Sequence, residues 1–132
     1  MIACGGTDSA QIEGIWLLDS VAVDGIFLDI SPDLLTHADR GVAAWFEFDP
    51  AARFDGRGPC NEISGSYAFD GARLTTANAF HTLAGCLSEG PSIDDFESLV
   101  FDSLKVADVH FSSDVRMQWQ ADNVTLTFRR QS

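Results

Sequence analysis

GRGPCNEISGSYAFDG, residues 56–71, places a cysteine and an asparagine between a glycine- and proline-rich turn and an alternating run of residues. The alternation in EISGSYAF predicts a strand with one buried and one solvated face. Asp70 and Gly71 then form a dipeptide typical of hairpin turns, and ARLTT after it predicts the returning strand. The thiol of Cys60 could be a nucleophile, a metal ligand, half of a disulfide or a small buried group.

Further short strands are predicted on both sides of this hairpin by apolar and β-branched runs that end at turn residues. They cover residues 14–23, 26–30, 42–48, 106–113, 115–120 and 124–130. Residues 31–41 predict a loop or a single helical turn, and residues 77–86 are less regular. Arg53 and Phe54 are expected to lead directly into the glycine- and proline-rich turn.

A helix is predicted over residues 92–104, beginning at Ser92 and ending at Leu104. Ser92 and Asp95 have the spacing of an N-cap box. The apolar face consists of Ile93, Phe96, Leu99, Val100 and Leu104. The chain therefore predicts a β-rich α+β fold of about eight short antiparallel strands. Because open sheet edges are avoided, these strands should curl into a barrel-like sheet with the helix packed on its open side.

The composition limits the classes of function that the chain can have. The chain has 132 residues, enough for one domain, and 45% of them are hydrophobic, so it can bury a core. Its net charge is −12, with 20 acidic and 8 basic residues. A nucleic-acid partner and an anionic membrane surface are therefore disfavoured, because both require clustered Lys or Arg. No apolar run is long enough to cross a bilayer. We attribute the scattered acidity to solubility.

The N-terminal residues suggest a cellular location. The chain begins MIACGG, and a small residue before Cys4 is similar to the end of a bacterial lipobox. One hypothesis is that a signal peptide was lost upstream, so that Cys4 carries a lipid anchor in the cell envelope. The alternative is an ordinary cytoplasmic start whose cysteine is incidental. We assign residues 1–11 to a flexible tether and residues 12–132 to the folded domain.

A longer series of motifs supports a family resemblance. GIW, FEF, CNEISGSYAFDGARLT and HTLAGC, followed by a helix and terminal strands, resemble the META domain (HslJ-like) family over roughly residues 12–130. The positions that match the family signature are Cys60, Asn61, Gly65, Tyr67, Thr82 and Cys86. The chain departs from the signature at Pro59, where the family usually has glycine, and at Ala84 and Gly85, which replace Met-Ala.

The resemblance implies a compact barrel-like fold with a packed helix. It also implies a bacterial envelope protein, often a lipoprotein, that is linked to stress or antibiotic tolerance. No catalytic activity is established for the family, so the matching positions are expected to be structural, with no catalytic residue and no cofactor. The expected partner is a protein or a small apolar ligand. It would bind at the barrel mouth beside the helix.

The matching cysteines, Cys60 and Cys86, leave two structural alternatives. A disulfide between them would close a loop of about 26 residues and stabilise the fold by roughly 3.5 kcal/mol. Alternatively, both are buried thiols that pack as small apolar groups. A metal site would need His81 as well, but the compact ligand spacings of zinc sites are absent from the sequence, so no metal is predicted.

Two other functions remain open. One is a thiol enzyme in which Cys60 is the nucleophile and His81 the base. The other is an intracellular interaction module with free thiols. We interpret Asn61 as the residue that shapes the turn into the strand, because Asn bonds nearby backbone and tolerates left-handed conformations. Gly65 is expected to permit a bulge, and Tyr67 to pack in the core with its hydroxyl bonded.

Overall fold

The computed structural model describes residues 10–30, 32–35, 40–82 and 91–131. Within these ranges the chain forms nine strands, an α-helix and a 3-10 helix. Their bounds are β1 (Gly14–Val23), β2 (Ile26–Phe27), the 3-10 helix (Pro32–Leu35), β3 (Trp45–Phe48), β4 (Arg53–Arg57), β5 (Glu62–Phe69), β6 (Arg73–His81), α1 (Pro91–Asp102), β7 (Val106–Ser113), β8 (Arg116–Ala121) and β9 (Val124–Arg130).

Eight of these strands close into an antiparallel barrel. The strand order is β1-β3-β4-β5-β6-β7-β8-β9, and β9 returns to pair with β1. The closing pairing is long, because Trp16 to Val23 on β1 pairs with Val124 to Arg130 on β9. The short β2 is an extra strand that, among the residues described, pairs with the end of β1 alone. The predicted β-rich barrel with a packed helix is thus confirmed.

The strand β4 was not predicted. Its sequence, RFDGR, contains a glycine and is followed by a glycine- and proline-rich segment. Because both features are unfavourable in a strand interior, this composition predicts a turn. Pairing on both edges, with β3 and with β5, makes it a strand. Gly56 leaves room for a neighbouring ring, because a Cβ there would lie 2.3 Å from Cδ1 of Phe46 and 2.9 Å from the Trp45 carbonyl oxygen.

Several element boundaries differ from the prediction. The strand β2 ends at Phe27 rather than at Ile30, and β3 begins at Trp45 rather than at Val42. The residues just before β3 are buried without strand pairing. The strand β6 continues to His81, through residues predicted to be irregular, because its pairing with β5 extends that far. Its second half is exposed, so the sequence there lacks alternation.

The helix begins one residue earlier and ends two residues earlier than predicted. It starts at Pro91, a residue type suited to the first helical position. Ser92 therefore lies inside the helix, and its predicted role as the N-cap in a box with Asp95 is wrong. Ser103 and Leu104 form a turn after the helix, although Leu104 is buried as expected.

Aromatic side chains fill the barrel interior. Six of the largest fully buried side chains are Trp16, Phe46, Phe48, Phe54, Trp119 and Phe128. The ring centroid of Trp119 lies 4.3 Å from that of Phe128 and 5.5 Å from that of Phe46. Tilted ring contacts at these distances add to the stabilisation from burial. The barrel interior is a packed core.

Arg130, the last residue of β9, contacts the first residues of the folded domain and holds them against the barrel. Its guanidinium lies 4.2 Å from the ring centroid of Trp16 and donates hydrogen bonds to the carbonyl oxygens of Gln11 and Glu13. The indole Nε1 of Trp16 donates to the Ile12 carbonyl oxygen at 2.8 Å. The β1–β9 closure is therefore reinforced by side chains at the same end of the barrel.

Gly65 lies opposite a bulge, as the sequence suggested. Ser64 pairs with Phe80 and Ser66 with Ala77, so Gly65 on β5 faces two residues of β6. One of these, Asn78, has a positive φ of 53°. A Cβ on Gly65 would lie 2.9 Å from the Ala79 Cα, a backbone atom that cannot move aside easily. The β5–β6 pairing therefore requires glycine at this position.

We predict that Gly65→Ala lowers the free energy of unfolding by about 1–3 kcal/mol, because the added methyl group overpacks the bulge. The measurement is urea unfolding, with a lower midpoint at an unchanged slope. Ala68→Val, at an exposed position of the same strand, is the control and should change stability by less than about 0.5 kcal/mol. Equal stability of the two variants would contradict the steric argument.

Candidate functional site

The carboxylate of Glu97 lies buried against the turn between β4 and β5. Glu97 is on α1 and is only 5% exposed. Its Oε2 accepts hydrogen bonds from the backbone N–H groups of Cys60, at 2.8 Å, and Asn61, at 2.7 Å. Its Oε1 accepts a third bond from Nδ2 of Asn61, at 2.5 Å. Charge-assisted bonds of this kind are among the stronger ones in proteins.

Asn61 and Thr82 extend this network to the end of β6. The Thr82 hydroxyl donates to Oδ1 of Asn61 at 2.9 Å and accepts from the N–H of Glu62 at 3.1 Å. We call Cys60, Asn61, Thr82 and Glu97 the Glu97 corner. It joins three separate segments of the chain: the β4–β5 turn, the residue after β6, and α1.

Gly58 allows the helix to approach the turn this closely. A Cβ on Gly58 would lie 2.6 Å from Oε2 of Glu97. The Gly58 N–H donates to the Asn61 carbonyl oxygen at 2.9 Å, which closes the turn. Glycine is therefore required here by the position of the carboxylate.

The structure brings together only some of the residues that match the family signature. Cys60, Asn61 and Thr82 lie in the Glu97 corner, whereas Gly65 and Tyr67 lie further along β5. Asn61 is buried, and its side chain bonds other side chains, while the sequence suggested bonds to nearby backbone. Cys86 and Cys4 lie outside the described residues.

Glu97 itself was missed by the sequence reasoning, although a signal was present. It stands four residues after Ile93 and three before Val100, both of which are buried. Helical spacing therefore puts a carboxylate on the apolar face. Because an ionised group is almost never fully buried without partners, such a position indicates a set of donors on the facing element.

Cys60 is buried and disulfide-bonded. The other cysteines of the chain lie outside the described residues, so the Cys60–Cys86 pairing stays a prediction. His81 is exposed, its Nδ1 lies 3.0 Å from the Thr82 carbonyl oxygen, and its ring centroid lies 5.8 Å from that of Phe101. A sulfur held in a disulfide is not available as a nucleophile, which weighs against the alternative that uses Cys60 with His81.

Tyr67 packs at the other half of β5. Its ring centroid lies 5.0 Å from that of Phe48, and its hydroxyl donates to the Asp49 carbonyl oxygen at 2.6 Å. Burial raises the pKa of Tyr67 above its usual value, and the negative charges of Glu13 and Asp49 raise it further. Tyr67 is partly buried and packs against the core rather than within it, and its hydroxyl is bonded as expected.

A cleft of about 280 Å³ opens between β6 and α1, beside the Glu97 corner. It exists because β6 pairs with β7 only over Arg73 to Thr75, so the rest of β6 diverges from the next strand. The residues that line it include Thr76, Ala79, His81, Ser98, Phe101 and Lys105. The cleft therefore combines a strand edge, an aromatic ring and several polar groups. We call it the β6–α1 cleft.

Two further observations concern only the described residues. None of their helices has the length and apolar character needed to span a membrane. No three of their His, Cys, Asp or Glu side chains come together in an arrangement that could hold a metal ion.

Comparison with known proteins places the chain in a family. The model of the META domain matches residues 12–132. No curated protein matches the chain in sequence. Among solved structures, an NMR structure of a protein from Burkholderia xenovorans has a TM-score of 0.68 at 24% identity, covering 93% of this chain and 87% of that chain.

Two other solved structures share the fold at lower identity. A lipocalin-like protein from Bacteroides uniformis has a TM-score of 0.59 at 12% identity, covering 92% of this chain and 99% of that chain. A DUF4847 family protein from Bacteroides vulgatus has a TM-score of 0.60 at 12% identity, covering 92% and 96%. At these identities the likeness concerns the barrel architecture alone.

We predict that Glu97→Ala lowers the free energy of unfolding by about 3 kcal/mol, because it leaves buried N–H donors without an acceptor. Urea unfolding measures the loss. Glu97→Gln keeps one acceptor oxygen and should lose less. Glu47→Ala, which removes an exposed glutamate from β3, is the control and should stay within about 0.5 kcal/mol of the parent. A loss for Glu97→Ala as small as that of the control would refute the role assigned to the corner.

A second prediction concerns Tyr67, which is the only tyrosine in the chain. Alkaline titration of tyrosinate absorbance should therefore report this residue alone, with a midpoint above the usual pKa of 10.0. Because the folded state binds this proton more tightly, its contribution to stability is complete below 10.0 and is lost as pH rises through the folded pKa. Identical midpoints in native and denatured protein would contradict the prediction.

Proposed function

This chain belongs to the META domain family, and from that premise we propose that it is a non-enzymatic binding module whose working surface is the β6–α1 cleft. The observation that carries the proposal is the incomplete pairing of β6 with β7, which opens a cleft of about 280 Å³ in an otherwise closed barrel. Clefts that combine apolar walls with a few polar groups on rigid elements are the usual binding sites of small domains.

The filled interior favours binding at this cleft over binding inside the barrel. Trp16, Phe46 and Trp119 occupy the volume in which a ligand-carrying barrel would hold its ligand. A protein segment or a small apolar ligand would therefore bind at the surface, and the β6–α1 cleft offers it a site beside a strand edge. Phe101 offers it an aromatic wall, and Ser98 and Lys105 offer polar groups at its rim.

Two chemically reactive side chains near the cleft, Cys60 and Glu97, are engaged in structural contacts. Cys60 is disulfide-bonded, and the carboxylate of Glu97 accepts three hydrogen bonds that hold the turn. A catalytic thiol or a catalytic acid would have to be released from these contacts first. This supports a binding role rather than chemistry.

We place the module in the bacterial cell envelope, anchored by a lipid on Cys4, with a role in stress or antibiotic tolerance. Its support is the sequence MIACGG around Cys4, the family resemblance and the disulfide at Cys60. Disulfides persist in oxidising compartments and are rare in the cytosol. An intracellular interaction module is the competing proposal.

Complementation of a deletion strain under heat or antibiotic challenge tests both parts of this proposal. Ser98→Arg, at an exposed helix position that lines the cleft, should fail to restore tolerance, because the long side chain fills the cleft. Asp95→Arg, on the same helix but away from the cleft lining, is the control and should restore it. Full restoration by Ser98→Arg would rule out the cleft as the working surface.

The anchor is tested in the same strain. Intact mass of the isolated protein should give a chain that starts at Cys4 and carries acyl groups. It should gain about 2 Da on reduction of one disulfide. Cys4→Ala should lose the acyl mass and the tolerance together. An unmodified parent chain that starts at Met1 would favour the intracellular module instead.

A further inference from the structure

One edge of β6 has no strand partner over half of its length. On its first edge β6 pairs with β5 from Leu74 to His81. On its second edge it pairs with β7 only from Arg73 to Thr75. Within the described residues no strand pairs with the second edge from Thr76 onward. Unpaired edges carry free backbone donors and acceptors, and they are templates for an added strand.

The hydrogen-bond pattern identifies the backbone groups on this edge. The Thr82 N–H donates to the Glu62 carbonyl oxygen at 3.0 Å, so Thr82 directs its backbone groups toward β5. In an antiparallel ladder the orientation alternates from residue to residue. His81, and Ala79 two residues earlier, therefore direct their N–H and C=O groups away from β5. Both residues line the β6–α1 cleft.

The helix forms the opposite wall of the same groove. Phe101 and Ser98 on α1 face the edge across the cleft. At its inner end the groove is closed by Thr76, whose hydroxyl donates to the Leu104 carbonyl oxygen at 2.9 Å. The Thr76 N–H donates to the Lys105 carbonyl oxygen at 3.4 Å, so the free edge begins at Ala77. From Ala77 to His81, a stretch that includes the bulge residue Asn78, the edge is five residues long, or at most about 17 Å at the usual rise of a strand. A short extended peptide fits this length.

We propose that an extended segment of a partner protein binds in the β6–α1 cleft by adding to the free edge of β6 as a strand. This rests on the proposed function and names the class of its partner. Backbone bonds to Ala79 and His81 would supply affinity, and alternate side chains would supply specificity. One set of side chains would face Phe101, and the other would lie beside Phe80, which is 67% exposed.

The charge of the chain specifies the segment further. With a net charge of −12, the protein repels acidic segments and a second copy of itself. The partner segment therefore has apolar residues at alternate positions and a neutral or basic charge. An added strand pairs with the N–H and C=O groups of Ala79 and His81 as it displaces the water that solvates them, whereas a small apolar ligand would displace this water and leave the groups unpaired.

The test uses the full chain and an array of ten-residue peptides with alternating apolar and neutral or basic residues. Binding of the best peptide is then measured in solution. Phe80→Ser should weaken it at least tenfold, because a cross-strand contact is lost. Phe27→Ser is a matched control, because Phe27 is a similarly exposed phenylalanine, 70% exposed, on a different strand. It lies on β2, the short extra strand that pairs with β1. It should leave binding unchanged within twofold.

Peptide chemistry and hydrogen exchange report the strand pairing directly. N-methylation of the peptide amides that face β6 should abolish binding, and N-methylation of the intervening amides should not. The amide hydrogens of Ala79 and His81 should exchange at least tenfold more slowly in the complex.

Other outcomes would overturn the inference in distinguishable ways. If no peptide binds but Ser98→Arg still fails in cells, the cleft is the working surface and its occupant is of another class. If Phe27→Ser rather than Phe80→Ser weakens binding, the docking edge is that of β2. If sedimentation reveals a dimer that Phe80→Ser dissociates, the occupant of the edge is a second copy of this chain.

Discussion

The contact between the Glu97 carboxylate and the Cys60–Asn61 turn holds the helix to the barrel. A helix inserted between two strands of a sheet cannot share the backbone hydrogen bonds of that sheet, so it must be attached by side chains. Apolar residues such as Phe96 and Val100 stabilise the contact between helix and barrel by burial, but the hydrophobic effect is non-directional and does not fix the orientation of the helix. Glu97 adds three directed hydrogen bonds, two of them accepted from buried backbone N–H groups of the turn.

The cleft is a consequence of this attachment. The chain leaves β6 at His81 and begins α1 at Pro91, and β7 follows the helix. Because the corner fixes α1 beside the β4–β5 turn, β7 can meet β6 only at the end remote from that turn, over Arg73 to Thr75. The remaining edge of β6 faces a helix, which cannot complete its hydrogen bonds. The interaction that stabilises the fold therefore also leaves a strand edge open.

Much of this architecture could be read from the sequence, because local patterns and tertiary pairing agree there. The β5–β6 hairpin and the last strands alternate clearly, and the helix has an apolar face. The prediction failed where tertiary contacts override composition: β4 contains Gly56, whose missing side chain is replaced by the ring of Phe46. Glu97 was missed because its structural role depends on hydrogen-bond donors that lie 36 and 37 residues earlier in the chain.

Closure of the barrel and opening of the β6–α1 cleft have opposite physical causes. Closure buries large aromatic rings such as Trp16 and Trp119, and the long β1–β9 pairing with the Arg130 contacts secures it. An interior packed in this way resists the rearrangement that admission of a ligand would need, because close-packed cores lose stability when they are opened. The edge of β6 is already free of a strand partner within the described residues, so a partner there displaces water rather than core side chains. A partner bound at the cleft would therefore leave the close-packed barrel core in place.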